Sequence, residues 1–427
     1  MHVSLRAYLC SPKKETIMTG NIEVMSPAGS FDSLMAAIQG GADSVYFGIE
    51  QLNMRARAAN NFTFDDLEKI AEICEPEGVK TYLTLNTIIY DHDLSLMKRI
   101  VDGVQKAGIT AIIASDQAVI NYAHKIGVEV HISTQTNVTN LETVEFFSNF
   151  ADVMVTSREL SLKQVKDITK GIERNDVRGP SGELVRIEIF AHGALCMAVS
   201  GKCYLSLHTN NSSANRGACV QNCRRTYTVT DDEGNQLEID NEYIMSPKDL
   251  CTIGFLDKVI DAGVEVLKIE GRGRAPEYVK EVTKCYKEAV QSIQEGTYTK
   301  EKIEGWNERL ATVYNRGFWD GYYLGKELGE WSEGHGSQAT TKKKYIGKGV
   351  KYFPKINVAE FKMESHSLKV GDKIIVTGPT TGVVEKIIEE MRVDDKSVDV
   401  VEKGVSFSIP IDEIIRPSDK LYRVESA

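Results

Sequence analysis

The chain alternates short runs rich in β-branched residues with longer stretches whose apolar residues recur at helical spacing. This alternation indicates a parallel sheet whose strands are joined by crossover helices. Eight strands are predicted, at residues 22–27, 44–48, 80–86, 111–116, 129–134, 152–156, 186–192 and 265–271. The predicted helices are residues 31–40, 64–75, 94–107, 118–126, 141–147, 161–169, 252–262 and 276–294.

Eight strand–helix units favour a closed TIM-type (β/α)8 barrel over an open doubly wound sheet, which usually has fewer strands. The barrel domain is predicted over residues 21–328, with an insertion at about residues 194–243 after the seventh strand. Residues 1–20 are an amino-terminal extension, and the glycine-rich and polar residues 329–344 are a linker. Short alternating strands over residues 345–427 predict a small antiparallel β-barrel.

Composition narrows the class of protein. The 427 residues are 42% hydrophobic and 26% charged, which is ordinary for a folded globular chain and excludes bulk disorder. A net charge of −10 argues against a broad cationic surface, so any nucleic-acid contact has to be local. We expect a cytoplasmic protein with no membrane span, because the chain has no long uncharged apolar run and its first twenty residues lack a signal-peptide core.

The cysteines are concentrated in one stretch. Five of the eight fall between residues 196 and 251: Cys196, Cys203, Cys219, Cys223 and Cys251. In a reducing compartment such clustering favours metal binding over disulfides. Cys196 and Cys203 follow the seventh predicted strand, at the barrel end where active sites lie. The spacing favours an iron–sulfur cluster over structural zinc, which usually shows C-x2-C pairs, while buried free thiols are the third interpretation. Cys74 and Cys285 are expected in the core.

Five segments carry a resemblance to a known family. They are EIFAHGALCMAVSGKCYLS at residues 188–206, SPAGSFDSLMAAIQGGADSVYFG at 26–48, LNMRARAANNFTFDDL at 52–67, MSPKDLC at 245–251 and KIEGRGRAPEYV at 268–279. Together they resemble the collagenase-like peptidase family, also called U32, over roughly residues 21 to 330. The likeness is greatest to the branch that hydroxylates uridine in tRNA.

The resemblance implies an enzyme that oxidises RNA. Members of that branch form 5-hydroxyuridine at the wobble position in the anticodon region of tRNA, depend on prephenate and hold a [4Fe–4S] cluster on four cysteines. Carried over to this chain, the ligands are Cys196, Cys203 and Cys219, with Cys223 preferred as the fourth and Cys251 as the alternative. The resemblance leaves the oligomeric state open.

A small dicarboxylate such as prephenate calls for cationic side chains at the barrel mouth, because arginine binds carboxylates through two parallel hydrogen bonds. The candidates at predicted strand ends are Arg55, Arg57, Arg158, Lys268, Arg272 and Arg274. For each of them a surface salt bridge is an equal alternative.

Residues on or just after strands are candidates for handling the base and its protons. The preferred catalytic candidates are His192, Glu188, His131 and Glu270. Further polar candidates at strand ends are Asn86, Asp116, Thr134 and Gln135. The aromatic residues Tyr314, Phe318, Trp319, Tyr322 and Tyr323 are expected to pack in the core rather than stack on a nucleotide.

Two other functions compete with RNA hydroxylation. The first is a peptidase, in which Cys196 and His192 would form a nucleophile–base pair, although neither an H-E-x-x-H nor a G-x-S-x-G motif is present. The second is a non-catalytic binding protein in which the cysteines hold zinc as a structural staple. More clustered thiols than a single nucleophile needs favour the iron–sulfur hydroxylase.

Overall fold

The structure, a computed structural model, describes residues 22–57, 61–228, 230, 232–234, 245–325, 328–334 and 336–427. The predicted extension at residues 1–20 lies outside the described residues. Among the helices that the structure describes, none combines the length and apolar composition needed to cross a bilayer.

Eight parallel strands close into a barrel, which confirms the predicted fold. They are β1 (Glu23–Pro27), β2 (Ser44–Phe47), β3 (Lys80–Leu85), β4 (Ala111–Ala114), β5 (Glu129–Ile132), β6 (Val153–Val155), β7 (Arg186–Ala194) and, after a short β8 (Asp249–Cys251), β9 (Val266–Ile269). Each pairs with its neighbour in sequence from β1 to β7, and β9 pairs in parallel with both β7 and β1. The closure leaves the barrel without a free edge, and all carboxyl-terminal strand ends point to one face.

The described residues form ten α-helices, eight of which overlap the predicted helices. They are α1 (Phe31–Gln39), α2 (Asp66–Cys74), α3 (Leu94–Ala107), α4 (Gln117–Ile126), α5 (Leu141–Ser148), α6 (Leu162–Asn175), α7 (Leu205–Asn210), α8 (Leu256–Asp261), α9 (Pro276–Gln294) and α10 (Lys300–Thr312). Gly108 ends α3 with φ of 73°, a left-handed conformation that favours glycine, and β4 begins three residues later.

The segment after β7 differs most from the prediction. The chain first forms β8, which runs antiparallel to the end of β7 and pairs Cys251 with His192. The predicted helix at residues 252–262 is shorter than expected. A 3-10 turn at Ile253–Phe255 then leads into α8. A further short strand, β10 (Phe318–Trp319), adds to β8 beyond the barrel.

Apolar side chains fill both the barrel interior and the layer between strands and helices. The interior cluster consists of Met25, Tyr46, Tyr82, Ala111, Ile113, Val153 and Val266. Below it, at the amino-terminal end of the strands, the buried carboxylate of Glu23 accepts a hydrogen bond from Tyr82 at 2.7 Å and pairs with Arg186 at 3.1 Å and Lys80 at 3.3 Å. Open space inside the barrel therefore lies at the opposite end.

An antiparallel β domain follows the barrel, as predicted. Its strands are β11 (Thr341–Phe353), β12 (Val358–Met363), β13 (Ser367–Lys369), β14 (Lys373–Gly378), β15 (Gly382–Ile387), β16 (Arg392–Val393), β17 (Lys396–Ser397), β18 (Val400–Glu402), β19 (Ser406–Pro410) and β20 (Lys420–Ser426). Eight of these form one sheet around a separate apolar core, while β13 and β18 form a two-stranded ribbon. β11 begins at Thr341, inside the predicted linker, because the consecutive lysines 342–344 hide its alternation.

The two domains contact each other through α1 and α9. The amide of Gln39 donates to the carbonyl of Thr381 at 2.9 Å and its oxygen accepts from the backbone N–H of Val383 at 2.8 Å. Lys343 pairs with Glu277 of α9 at 2.8 Å. Through this ion pair Lys343 contributes to the contact between the two domains.

Candidate functional site

A cavity of about 510 Å³ opens at the carboxyl-terminal ends of the barrel strands. Its walls come from the residues that end or follow β2, β3, β5, β6, β7 and β9 and from the insertion after β7. This is the barrel face on which TIM-type enzymes carry their active sites, since loops of independent sequence converge there. The cavity is therefore the candidate functional site.

Four cysteines line this cavity: Cys196, Cys203, Cys219 and Cys223, called here the cavity cysteines. Cys196 is exposed and the other three are partly buried. Burial raises the pKa of Cys223, the charge of Arg224 lowers it, and repulsion from the thiolates of Cys196, Cys219 and Cys203 raises it further. Cys223 is therefore within electrostatic reach of the other three cavity cysteines.

The insertion is tied to the barrel around these thiols. Ser206 Oγ accepts from the backbone N–H of Val220 at 3.2 Å and lies 4.0 Å from Sγ of Cys219. The guanidinium of Arg224 donates to Ser246 Oγ at 3.0 Å, to the carbonyl of Pro247 at 2.6 Å and to that of Leu195. Arg224 thus joins both ends of the insertion beside the cavity cysteines.

The other described cysteines lie elsewhere. Cys251, the alternative fourth ligand, is buried in β8 and is absent from the cavity wall. Cys74 and Cys285 are buried on α2 and α9. Within the described part of the chain, no group of three or more His, Cys, Asp or Glu side chains is placed to hold a single metal ion. The identity of the cofactor stays a prediction.

Seven cationic side chains line the same cavity, called here the cavity cations. They are Arg55, Arg158, Arg224, Lys268, Arg272, Arg274 and Arg316. Glu270 is the one carboxylate among the described lining residues. The cavity is thus strongly positive in a chain whose net charge is −10, and a positive cleft in a low-dielectric wall attracts and concentrates anions.

Glu270 pairs with Arg55. The distance from Arg55 Nη2 to Glu270 Oε1 is 3.0 Å. Burial raises the pKa of Glu270, but the charges of Arg55, Arg274 and Arg158 outweigh burial and the pKa is lowered. The charge of Glu270 in turn raises the pKa of Arg55. Both groups are therefore ionised, and Arg55 is held at the cavity wall by a partner that another carboxylate can replace.

The other arginines predicted to bind the dicarboxylate have different surroundings. Arg272 is buried and donates to Thr84 Oγ1 at 2.8 Å and Asn53 Oδ1 at 3.1 Å, and burial lowers its pKa to about 10. The guanidinium of Arg158 stacks 3.8 Å above the ring of Phe190, and its buried Nε has no hydrogen-bond partner. Arg57 is exposed and does not belong to the cavity wall.

Lys268 and Glu188 form a buried ion pair at one side of the cavity. Nζ of Lys268 lies 2.7 Å from Oε1 of Glu188, and only Lys268 reaches the cavity wall. Oε2 of Glu188 is buried without a hydrogen-bond partner. The structure therefore places Glu188 behind Lys268 rather than in contact with a ligand.

Neither predicted histidine lines the cavity. His192 is buried among Tyr278 and Tyr286 of α9 and Phe318, and burial lowers its pKa to about 3. A β-bulge between Phe190 and His192 turns this side chain out of the barrel, which corrects the expectation that it faces the site. His131 lies inside the barrel against Tyr82, with Nε2 3.0 Å from Oε1 of Glu129.

Some of the polar and aromatic candidates line the cavity, and others cap a helix or pack in the core. Asn86, Thr134 and Gln135 line the cavity, whereas Asp116 accepts from the backbone N–H of Ala118 at 2.9 Å and caps α4. Trp319 and Tyr323 are buried in the core, as expected. Tyr314 stacks under Arg274, whose guanidinium lies 3.6 Å from the ring centroid.

Several cavity residues have no counterpart among the sequence-based candidates. Arg224 and Arg316 line the wall, as do Tyr46, Ser133 and Asn215. The position of Arg224, directly after Cys223 in RGACVQNCRR, was a usable signal. Arg316 follows the eighth helix by many residues, and its place opposite Asp249, at 3.2 Å, depends on the fold alone.

Comparison with known proteins places the chain in a family. A model described as Peptidase family U32 matches residues 29–333. The chain is 61% identical over 406 residues to a protein named "Collagenase" from Porphyromonas gingivalis, covering 95% of this chain and 98% of that one. It is 31% identical over 315 residues to "tRNA hydroxylation protein P" of Helicobacter pylori, covering 71% of this chain and 72% of that one.

A further relative aligns almost from end to end. "tRNA hydroxylation protein P1" of Bacillus subtilis is 27% identical over 421 residues, covering 95% of this chain and 96% of that protein. The names of the relatives thus include both proteolysis and RNA modification. Because the family model covers well over half of its residues, this chain belongs to peptidase family U32.

Proposed function

We propose that this protein is an iron–sulfur-dependent tRNA hydroxylase that forms 5-hydroxyuridine at the wobble position with prephenate, a small dicarboxylate, as co-substrate. The observation that carries the proposal is the joint placement of the cavity cysteines and the cavity cations around one cavity. The proposal is also supported by relatives that are named tRNA hydroxylation proteins and align with most of this chain.

The donor set fits an iron–sulfur cluster. Four thiols from one insertion face one cavity, and a [4Fe–4S] cluster takes four cysteine thiolates, each on a different iron. A structural zinc site usually shows C-x2-C pairs, which these four cysteines lack. When bound, the cluster would supply electron transfer and iron coordination beside the substrate. The nearby cations would offset the negative charge of the thiolates.

The residues of the chain then have separable roles. Arg55, Arg158 and Arg272 bind and orient the carboxylates of the co-substrate, and Lys268 adds a point charge. Asn86 and Gln135 offer amide donors and acceptors for the polar edge of a base. Hydroxylation replaces a C–H bond by C–O–H and removes two electrons from the base, so the cavity has to admit an oxidant and an oxygen donor with it.

Proteolysis is the second candidate, since the 61% identical relative is named a collagenase. The geometry does not favour the cysteine-protease version of it. Cys196 lines the cavity, whereas His192 is buried in the layer between β7 and α9 and is absent from the cavity wall. A nucleophile needs its base within hydrogen-bond reach, and the structure separates these two residues.

Two measurements test the proposal. Protein purified from the cytoplasm without oxygen is expected to be brown and to carry four irons and four sulfides per chain. tRNA nucleosides from a deletion strain should lack 5-hydroxyuridine derivatives, which return with the wild-type gene and not with the Cys196→Ala variant. The proposed function would be wrong if the deletion strain had unchanged tRNA nucleosides. If the purified protein also cleaved collagen peptides, the protein would be a peptidase instead.

A further inference from the structure

Exposed apolar side chains surround the cavity mouth on two segments, residues 88–92 after β3 and residues 197–225 of the insertion, called here the rim. Tyr90 is 49% exposed and Tyr204 is 71% exposed. Further exposed apolar residues of the rim are Ile88, Met197, Val199, Leu207 and Val220. Large apolar side chains that are exposed together beside a cavity are typical of an interaction surface.

Tyr90 is held rigidly although half of it faces solvent. The guanidinium of Arg216 lies 4.2 Å from its ring centroid, and the ring of His92 meets it edge-on at 5.7 Å. Arg216 is fixed in turn by Asp93, through two nitrogen–oxygen contacts, and by the carbonyl of Ile88 at 2.7 Å. One face of Tyr90 is thus backed by a cation that is already paired, and ordering the ring for a ligand costs little entropy.

Both tyrosines adjoin the cavity wall. Asn215 precedes Arg216 and lines the cavity, and its carbonyl accepts from the backbone N–H of Ile88 at 3.2 Å. Tyr204 stands between Cys203 and Leu205, which both line the cavity. A planar group resting on Tyr204 is therefore next to Cys203, and one resting on Tyr90 is close to the cavity wall at Asn215.

Positive charge accompanies the aromatic rings. Exposed Arg57, Lys202 and Arg225 lie on or next to the rim, and Arg57 is joined to it by its backbone N–H, which donates to the carbonyl of Gly217 at 3.1 Å. The cavity cations lie directly inward. Flat exposed rings interleaved with cations are the surface that unpaired nucleotides require: bases stack on the rings and phosphates approach the cations.

We propose that the rim binds an unpaired RNA segment by stacking bases on Tyr90 and Tyr204, and that this stacking presents the neighbouring base to the cavity. The inference rests on the proposed RNA-modifying function and adds the mode of recognition, unpaired rather than double-stranded RNA. Base pairing buries the faces of the bases, so a duplex cannot use the rings. An acidic protein segment would use the cations without needing planar stacking.

The test measures RNA binding by fluorescence anisotropy with anaerobically purified full-length protein. The probes are a labelled RNA hairpin with an unpaired loop, the same strand annealed to its complement, and an acidic peptide. Wild type is expected to prefer the hairpin. Tyr90→Ala and Tyr204→Ala should each weaken hairpin binding about tenfold, whereas Tyr90→Phe, which keeps the ring, should change it less than about twofold.

Phe146→Ala is the matched control, because Phe146 is a 61% exposed aromatic side chain on α5 outside the rim. It should leave hairpin binding unchanged. If both alanine variants bind the hairpin as tightly as wild type does, the stacking inference is overturned while the proposed function stands. Equal binding of hairpin and duplex, or preference for the peptide, also overturns it. Wild type that binds no RNA overturns the inference, and nucleoside analysis of the deletion strain then decides the proposed function separately.

Discussion

Nζ of Lys268 lies 2.7 Å from Oε1 of Glu188, across the seam where β7 and β9 close the barrel. Both side chains are almost completely buried. Burial lowers the pKa of Lys268, and the charge of Glu188 offsets part of that effect, while Arg272 and Arg158 add to it. Glu188 therefore stabilises the charged form of Lys268 at the cavity wall without touching the cavity itself.

Glu188→Gln should lower the free energy of unfolding by about 3–5 kcal/mol, because it leaves a buried lysine without its counter-charge. Urea unfolding measures the change. Glu188→Met with Lys268→Met should recover most of the loss. As a control, Glu68→Gln breaks the exposed pair with Lys106 and should cost less than about 1 kcal/mol. Similar losses in the two single variants would show that the buried pair has no special structural role.

Replacing single cysteines should separate cluster ligands from core thiols. Cys196→Ala, Cys203→Ala, Cys219→Ala and Cys223→Ala should each lose most of the bound iron, since four thiolates are needed to close the site. Cys251→Ala and Cys285→Ala should keep it, because both residues are buried away from the cavity wall. Iron and sulfide analysis after anaerobic purification measures this. If Cys251→Ala loses iron and Cys223→Ala retains it, the fourth cluster ligand is Cys251 and not Cys223.

Arg55 and Arg57 form a natural pair for testing the dicarboxylate site. Arg55 lines the cavity and Arg57 is exposed outside it. Arg55→Ala should weaken prephenate binding about 10- to 100-fold, the range expected for a lost charge-assisted hydrogen bond, and Arg57→Ala less than about twofold. Isothermal titration calorimetry with prephenate measures both.

Glu270→Gln should act in the opposite direction. This variant removes the internal carboxylate that competes for Arg55 at 3.0 Å, so prephenate should bind several-fold more tightly at low ionic strength. Unchanged affinity in both Arg55→Ala and Glu270→Gln would place the co-substrate elsewhere.

The barrel could be predicted because its signals are local. Each strand is a short apolar run and each helix has its own amphipathic period, as in β4 and α3, where prediction and structure differ by at most two residues. β8 escaped prediction because it forms by pairing with the distant strand β7 rather than from a strong local pattern.

The site was predictable only where chain position alone decides it. Cys196 and Arg55 follow strands, and parallel strands end at one face, so these residues reach the cavity. His192 also follows this rule in sequence, yet the bulge beside Phe190 reverses its side. Tyr90 gave no signal, because its exposure and its contact with Arg216 arise from two segments far apart in the chain.

Glu23, at the closed end of the barrel, should make the free energy of unfolding depend on pH in the acid range. Burial raises the pKa of Glu23, but Lys80, Tyr82 and Arg186 outweigh it and lower the pKa from 4.5 to about 2. A carboxylate whose pKa is lower in the folded state contributes its stabilisation above the unfolded pKa and loses it as pH falls through the folded one. We therefore expect Glu23 to contribute about 3 kcal/mol at pH 7 that disappears between about pH 4.5 and pH 2.

Glu23→Gln should consequently be less stable than wild type at pH 7 and nearly equal to it at the acid end of this range. Urea unfolding at a series of pH values measures the difference between the two proteins, so contributions from other carboxylates cancel. Glu142→Gln, which alters an exposed side chain on α5, should follow wild type throughout. A constant difference between Glu23→Gln and wild type at every pH would mean that the loss comes from altered packing, not from the charge that Lys80 and Arg186 stabilise.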